Sequence, residues 1–161
     1  MAAQLNYDYS TPKGVPGGKF DLAYDEIVTR MNEEENGAMK YGLAVVVGEN
    51  AGTGVKLPTS SSTAKDFEGV TLHAANTEHN MSGKVEIKKD TSLGIIRKGH
   101  VWVRVDSGAT PTYKAPAYVI VDKEAGEVGT FTDKETSGKT VDIGATFGEA
   151  SDTGIAVIVL K

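Results

Sequence analysis

Lys98-Gly99-His100-Val101-Trp102-Val103-Arg104-Val105-Asp106 carries the clearest structural signal in the chain. Val101, Val103 and Val105 alternate with Trp102, Arg104 and Asp106, and a period of two places the valines on one face of a strand. Valine is stiff at χ1 and packs well on a pleated surface, so residue type and spacing agree. The preceding Lys98-Gly99 reads as a turn that opens the strand.

The same pattern extends outward. Val70, Leu72 and Ala74 alternate with Thr71 and His73, and Val85 and Ile87 with Glu86 and Lys88, as half-buried strands do. Tyr41 to Val47 is a further apolar strand. Tyr118 to Val121 and Ile155-Ala156-Val157-Ile158-Val159-Leu160 are almost continuously apolar, which predicts strands covered on both faces at the centre of the fold. Between them stand Gly48-Glu49-Asn50-Ala51-Gly52-Thr53-Gly54, Asp106-Ser107-Gly108, Glu124-Ala125-Gly126, Ser137-Gly138-Lys139 and Ser151-Asp152-Thr153-Gly154, all turn compositions. Gly occurs 19 times in 161 residues, roughly 12% where about 7% is usual. Short strands separated by such turns predict an all-β domain, a small Gly-rich β-barrel or β-sandwich.

The first forty residues differ. Met1 to Lys19 mixes Tyr7, Tyr9, Pro12, Gly14, Pro16, Gly17 and Gly18, a composition that favours an extended N-terminal arm over regular structure. Phe20, Tyr24, Ile27 and Met31 share a helical face, yet Phe20, Leu22 and Tyr24 also alternate as in a strand, and periodicity leaves the two open. Glu33-Glu34-Glu35-Asn36-Gly37 adds an acidic cluster, read as a solvated loop, and an Asn-Gly turn. The expected organisation is residues 1–40 as arm and acidic connecting segment, and 41–161 as the β domain.

Composition narrows the function. With 39% apolar and 24% charged residues, the chain has the make-up of one ordinary domain with its own core. The absence of cysteine removes disulfides, thiolate metal sites and cysteine nucleophiles. A formal charge of −5, without clustered Lys and Arg, argues against a nucleic-acid partner. No apolar run reaches the ~20 residues of a membrane-spanning helix, and the opening lacks the regions of a signal peptide, so synthesis in a cytoplasm is expected.

Catalytic and cofactor motifs find little support. Gly138-Lys139-Thr140 matches the end of a phosphate-binding loop, but the upstream glycine position holds Asp133, and a hairpin turn is the better reading. No glycine cluster sits between a strand and a helix as dinucleotide binding requires. His73, His79 and His100 lack metal-ligand spacing and read as surface histidines. No Gly-x-Ser-x-Gly elbow is present. Asp106 with Asp122 or Glu124 reads as turn residues rather than as a catalytic carboxylate pair. No metal and no cofactor are therefore expected. Trp102 beside Arg104 suits packing or a subunit interface, and a carbohydrate platform built from Trp102 and tyrosines is the alternative function.

The ordered text goes further than the composition. Tyr7-Asp8-Tyr9-Ser10-Thr11-Pro12-Lys13-Gly14-Val15-Pro16-Gly17-Gly18, then Phe20-Asp21-Leu22 and Arg30-Met31-Asn32-Glu33-Glu34-Glu35, closely resembles the structural cement, or head decoration, proteins of tailed bacteriophages. The resemblance continues through Lys40-Tyr41-Gly42-Leu43-Ala44-Val45-Val46, Val55-Lys56-Leu57-Pro58, Phe67-Glu68-Gly69-Val70, Thr77-Glu78-His79-Asn80-Met81, Gly99-His100-Val101-Trp102-Val103 and Gly154-Ile155-Ala156-Val157. Ala115-Pro116-Ala117-Tyr118 departs from it, where a Gly-Asp or similar turn is expected. The resemblance implies a non-enzymatic β domain that binds the outside of the mature capsid, bridges major capsid protein subunits and stabilises the shell, commonly as a homotrimer. An acidic protein suits an outer surface better than a DNA-filled interior. Tyr7, Tyr9, Phe20, Leu22, Tyr24 and Trp102 are the expected capsid or subunit contacts, since aromatic anchors dominate interfaces.

Overall fold

The computed structural model describes residues 14–74, 81, 83, 86–150 and 154–161. It is all-β, as expected, with one short 3-10 turn at Ala64–Asp66. The strands are β1 (Glu26–Asn32), β2 (Ala44–Val47), β3 (Gly54–Lys56), β4 (Phe67–Thr71), β5 (Ser92–Arg104), β6 (Pro116–Ile120), β7 (Phe131–Thr132), β8 (Thr140–Ala150) and β9 (Ile155–Leu160).

Their pairings form two rings that share β5. The C-terminal half of β5 pairs with β9, followed by β8, β6 and β7, and a parallel bridge from Val105 to Phe131 closes a five-stranded barrel. The N-terminal half pairs with both β1 and β4, and β1–β3–β2–β4 completes a second circuit. β9 lies between β5 and β8, and β6 between β8 and β7, so both continuously apolar runs are internal to the barrel.

The wall between the rings explains several runs of adjacent apolar residues. Ala44, Val70 and Ile96 pack with Val101, Val103, Val119, Phe131, Phe147 and Ile158 in the barrel core. Their chain neighbours Val45 and Ile95 face the other way, into a second core with Met39, Val55, Ile87 and Leu93. A strand that separates two cores is apolar on both faces, which suppresses the alternation seen on a one-sided strand.

Several local expectations change. Lys98-Gly99 is not a turn: β5 runs through it without a break. Gly99 has φ 117, and a Cβ there would stand 2.9 Å from Cβ of Asp25. The pairing of β1 with β5 shifts register at this point, between Glu26 and Ile27. Leu72 N–H bonds the Gly94 carbonyl (2.8 Å), His73 N–H the Gly17 carbonyl (2.8 Å) and Gly17 N–H the Trp102 carbonyl (2.7 Å). A straight strand would hold the Gly94 and Trp102 carbonyls roughly 26 Å apart, beyond the reach of these links, so β5 is bent between them. A register shift and a side-chain-free residue are the means by which a strand turns such a corner.

The alternation of 70–74 ends in a strand at Thr71, and Ile87 is buried outside any strand. Val85 and His79 lie outside the described residues. The ambiguous stretch from Phe20 to Met31 contains a strand, β1, and no helix. Gly138 does sit in a turn, closed from Lys139 N–H to the Thr136 carbonyl (3.0 Å). It joins β7 to β8, which are separated by β6, so it is not a hairpin. Before β6, the place of the missing Gly-Asp turn is taken by a turn closed from Ala115 N–H to the Thr112 carbonyl (3.0 Å), with Lys114 at φ 65.

Replacing Gly99 with alanine puts a Cβ against Asp25 and forces a left-handed φ on an L-residue. The expected loss of stability is about 2–3 kcal/mol, measured by denaturant unfolding, against about 1 kcal/mol for Gly138→Ala, where the left-handed φ is the whole cost because nothing lies within 4 Å of the new methyl.

Candidate functional site

Trp102 is only 7% exposed, and what covers it is the chain's own residues 14–20. Val15-Pro16-Gly17-Gly18 forms a β-turn closed by Gly18 N–H on the Val15 carbonyl (2.8 Å), with Gly17 at φ 81. Proline at the second position and glycine at the third are what a type II turn requires. The strap then runs along β5. Trp102 N–H donates to Gly18 (2.8 Å), Phe20 N–H donates to His100 (3.0 Å), and Lys19 bridges Val101.

The strap's close approach depends on missing side chains. A Cβ on Gly14 would lie 2.1 Å from the indole nitrogen, and one on Gly17 2.6 Å from the His73 amide nitrogen. Phe20 meets the indole edge-on, with ring centroids 5.8 Å apart. The composition of this stretch favours an extended arm, and from Gly14 onward the structure instead holds it as a strap. The Pro16-Gly17 pair is the local signal for the turn, but nothing local shows that the turn lies on a tryptophan far along the chain.

Residues 21–25 leave the strap, pass over Gly99 and enter β1. Asp21 Oδ2 lies 2.6 Å from His100 Nδ1, and Asp21 Oδ1 accepts the Ala23 N–H (3.1 Å). Lys19 forms an ion pair with Asp25 at the far end. The loop is thus tied to β5 and the strap at both ends. Between the ties it holds apolar side chains in water: Leu22 is 99% and Tyr24 82% exposed. Phe20 and Ile27 flank them at 43% each, and Val15 is also uncovered. Isolated exposed apolar residues are common on proteins, but several grouped on one tied loop form a patch of the kind used for association.

The structure therefore brings Phe20, Leu22, Tyr24 and Trp102 into one region, with Trp102 beneath and the other three outward. Tyr7 and Tyr9 lie outside the described residues. The second half of the constellation, Asp21, His100, Lys19 and Asp25, is invisible to sequence reasoning, because the pairing of an acid in a loop with a histidine on a distant strand leaves no local signal.

The other candidates have structural occupations. His73 packs on Tyr41 with ring centroids 5.1 Å apart, while His100 is engaged with Asp21. Among the described residues, no three histidines or carboxylates gather as metal ligands would. Asp106 accepts the Gly108 amide (2.9 Å), Asp122 the Glu124 amide (2.8 Å), and Glu124 pairs with Lys139 (2.8 Å). The acidic cluster is not a free solvated loop. Glu33 accepts the Glu49 amide (2.5 Å) and both the amide and the side chain of Asn50 (3.0 and 2.9 Å), closing the 48–54 turn. Glu34 accepts the Leu57 amide (2.9 Å), and Glu35 pairs with Lys89 (2.9 Å).

Two carboxylates, Asp21 and Glu33, are held in their charged form. The hydrogen bond with His100, aided by the Ala23 amide, keeps the Asp21 carboxyl below its ordinary range. Burial pushes Glu33 up, but the Asn50 and Glu49 donors outweigh it and the net direction is down. Ion pairs of Arg30 with Glu68 (2.7 Å) and of Arg97 with Glu68 and Glu26 (2.5 and 3.5 Å) also bind β1, β4 and β5 together.

A barrel that holds uncovered leucine and tyrosine on a tied loop has the make-up of a binding protein. Comparison with known proteins specifies which kind. The family model "Structural cement protein (E217 gp24/Pam3 gp6)" matches residues 3–161, and the chain belongs to this family. It is a structural protein of the phage capsid, with a decorating and stabilising role. Among solved structures, a chain from "The capsid of Myoviridae Phage XM1" shares the fold, with a TM-score of 0.74 at 18% identity, over 100% of this chain and 98% of that one. No curated protein matches the chain.

Two measurements check this region. Trp102 is the only tryptophan, so its fluorescence reports the strap directly. Gly14→Ala should shift the emission to the red and lower stability by about 1–3 kcal/mol, because the new methyl displaces the strap from the indole. Acid should act on the carboxylates. A folded-state pKa below the unfolded one contributes stability that is complete above the ordinary carboxylate value and lost as pH falls through the depressed one. The thermal midpoint should accordingly change little through these groups from pH 7 to 5 and fall below about pH 4, with a shallower fall in the Asp21→Asn, Glu33→Gln double variant, which has already lost those contributions.

Proposed function

We propose that this cement protein binds the outer surface of the mature head through the loop of residues 20–25, contacting the major capsid protein and bridging neighbouring subunits. The observation that carries the reading is the exposure of Leu22 and Tyr24 on a loop whose two ends are tied. A rigid apolar loop loses little conformational freedom on binding, so more of its burial free energy is retained as affinity. Phe20, Leu22 and Tyr24 supply the contact, and Trp102 supports Phe20 from below. Tyr7 and Tyr9 are the remaining residues assigned to the contact, on the aromatic character of interface anchors alone.

The role asks for no catalysis, cofactor or nucleic acid, and the net negative charge suits a surface away from packaged DNA. Self-association as a homotrimer fits the family resemblance and would give each particle several weak contacts. Contacts made by one bound assembly reinforce one another, because a bridge held at one end rebinds at high effective concentration.

Co-sedimentation with mature, undecorated heads and with unexpanded precursor shells tests the proposal. Saturable pelleting with expanded heads is expected, together with a loss of at least about tenfold in affinity for the Leu22→Ser, Tyr24→Ser variant. Equal binding by that variant, with an unchanged thermal midpoint, would remove the loop from the interface. Absence of pelleting with either shell would remove the capsid contact.

A further inference from the structure

Among the described residues, the strand that follows the candidate docking loop has an unpaired edge. Asn32 N–H turns toward Thr91 beside β5 (2.9 Å), whereas Met31 N–H turns the other way, to Thr53 (2.8 Å). The register of β1 against β5 is uninterrupted from Ile27 to Met31. Backbone groups alternate in direction along a strand, so Val28 and Arg30 bond to β5 while Ile27 and Thr29 turn their N–H and C=O groups away from it. On that side β3 pairs only with Met31 and Asn32. Among the described residues, the outward amides of Ile27 and Thr29 have no partner, and the Thr29 carbonyl is met by a side chain, Arg30 Nη1 at 2.9 Å.

An open edge of this kind is a template for another strand. It is formed by Ile, Val and Thr, residues suited to strands. Both outward residues are exposed, Ile27 at 43%. β1 begins two residues after Tyr24 and its outward amides one residue later, at Ile27, so an occupant of the loop is already beside the edge. We infer that β1 is a second part of the capsid contact: an extended segment of the shell subunit docked on residues 20–25 adds to β1 as a strand, bonding to Ile27 and Thr29. The inference rests on the proposed docking loop. Main-chain bonds supply the affinity, and the segment is apolar at alternate positions where it lies over Ile27 and the loop. Arg30 Nη1 occupies the Thr29 carbonyl in the free protein and gives way to an amide of the incoming strand, remaining bonded to Glu68 through Nε. A shell subunit seated on the loop lies beside this edge and covers both; a second copy pairing through β1 is the alternative that the test separates.

Thr29→Pro tests the inference. The Thr29 N–H takes no part in the ladder with β5, so proline removes the outward donor and obstructs strand addition while the fold is kept. The variant should retain its thermal midpoint within a few degrees and bind mature heads at least about tenfold more weakly. In the unmodified protein, hydrogen exchange at the Ile27 and Thr29 amides should be fast when free and slow on heads, a readout that stands even if the proline variant does not fold. Unprotected Ile27 and Thr29 amides on heads, with the Ala23 amide slowed, would overturn strand addition and leave the loop in place. Loss of binding in Leu22→Ser, Tyr24→Ser with full binding in Thr29→Pro would overturn it equally. Failure of both variants to weaken binding would instead remove the loop itself. Protection that arises from self-association without heads, and is lost with it in Thr29→Pro, would make a second copy the occupant and overturn the assignment.

Discussion

The structure depends on β5 being one strand in two rings. Its N-terminal half belongs to one set of pairings and its C-terminal half to the other, so neither ring closes without it. Sharing a strand rather than a linker makes the two units rigid toward each other, because the connection is itself hydrogen-bonded on both sides. The constraint falls on Gly99, where the strand turns and where the chain entering β1 passes within contact of the backbone. Only a residue without a side chain, free to adopt φ 117, satisfies both demands.

The candidate docking loop is a product of that corner. Residues 14–20 lie on Trp102 along one part of β5, β1 lies along another, and residues 21–25 connect them over Gly99. Asp21 with His100 and Lys19 with Asp25 fasten the connection at its two ends. Exposure of Leu22 and Tyr24 is therefore a consequence of how the loop is anchored and not a sign of poor packing. The cost of exposing apolar surface is met by the packing of Phe20 on Trp102 and by main-chain bonds along the strap. In the proposed role, a contact surface rooted in the strand common to both rings would pass load directly into the fold.

The acidic residues of 33–35 show how a charge run acquires a structural purpose. Their carboxylates accept backbone amides of the 48–54 turn and of Leu57, and one meets Lys89. Turns satisfied by side chains in this way need no regular structure of their own. A set of rigid turns around two small cores is what a Gly-rich, Cys-free chain has available for stability.

The all-β class was written in the sequence itself, because alternation and β-branched residues report local geometry: Val101, Val103 and Val105 needed no knowledge of their partners. The resemblance to phage cement proteins was likewise legible, since it rests on ordered text that the family model independently matches. Tyr118 to Val121 and Ile155 to Leu160 could be recognised as internal from their unbroken apolarity. What the tertiary structure alone decided involves contacts between distant positions. Lys98-Gly99 has the composition of a turn, yet the bonds on both sides of β5 carry the strand through it. Phe20 to Met31 satisfies two periodicities, and the edge offered by β5 selects the strand. Trp102 looks the same in sequence whether it is a platform, an interface or a core residue, and only the strap over it shows that its own chain covers it. Local pattern records what each residue prefers, whereas closure of two rings around one strand is a property of pairings that no single segment contains.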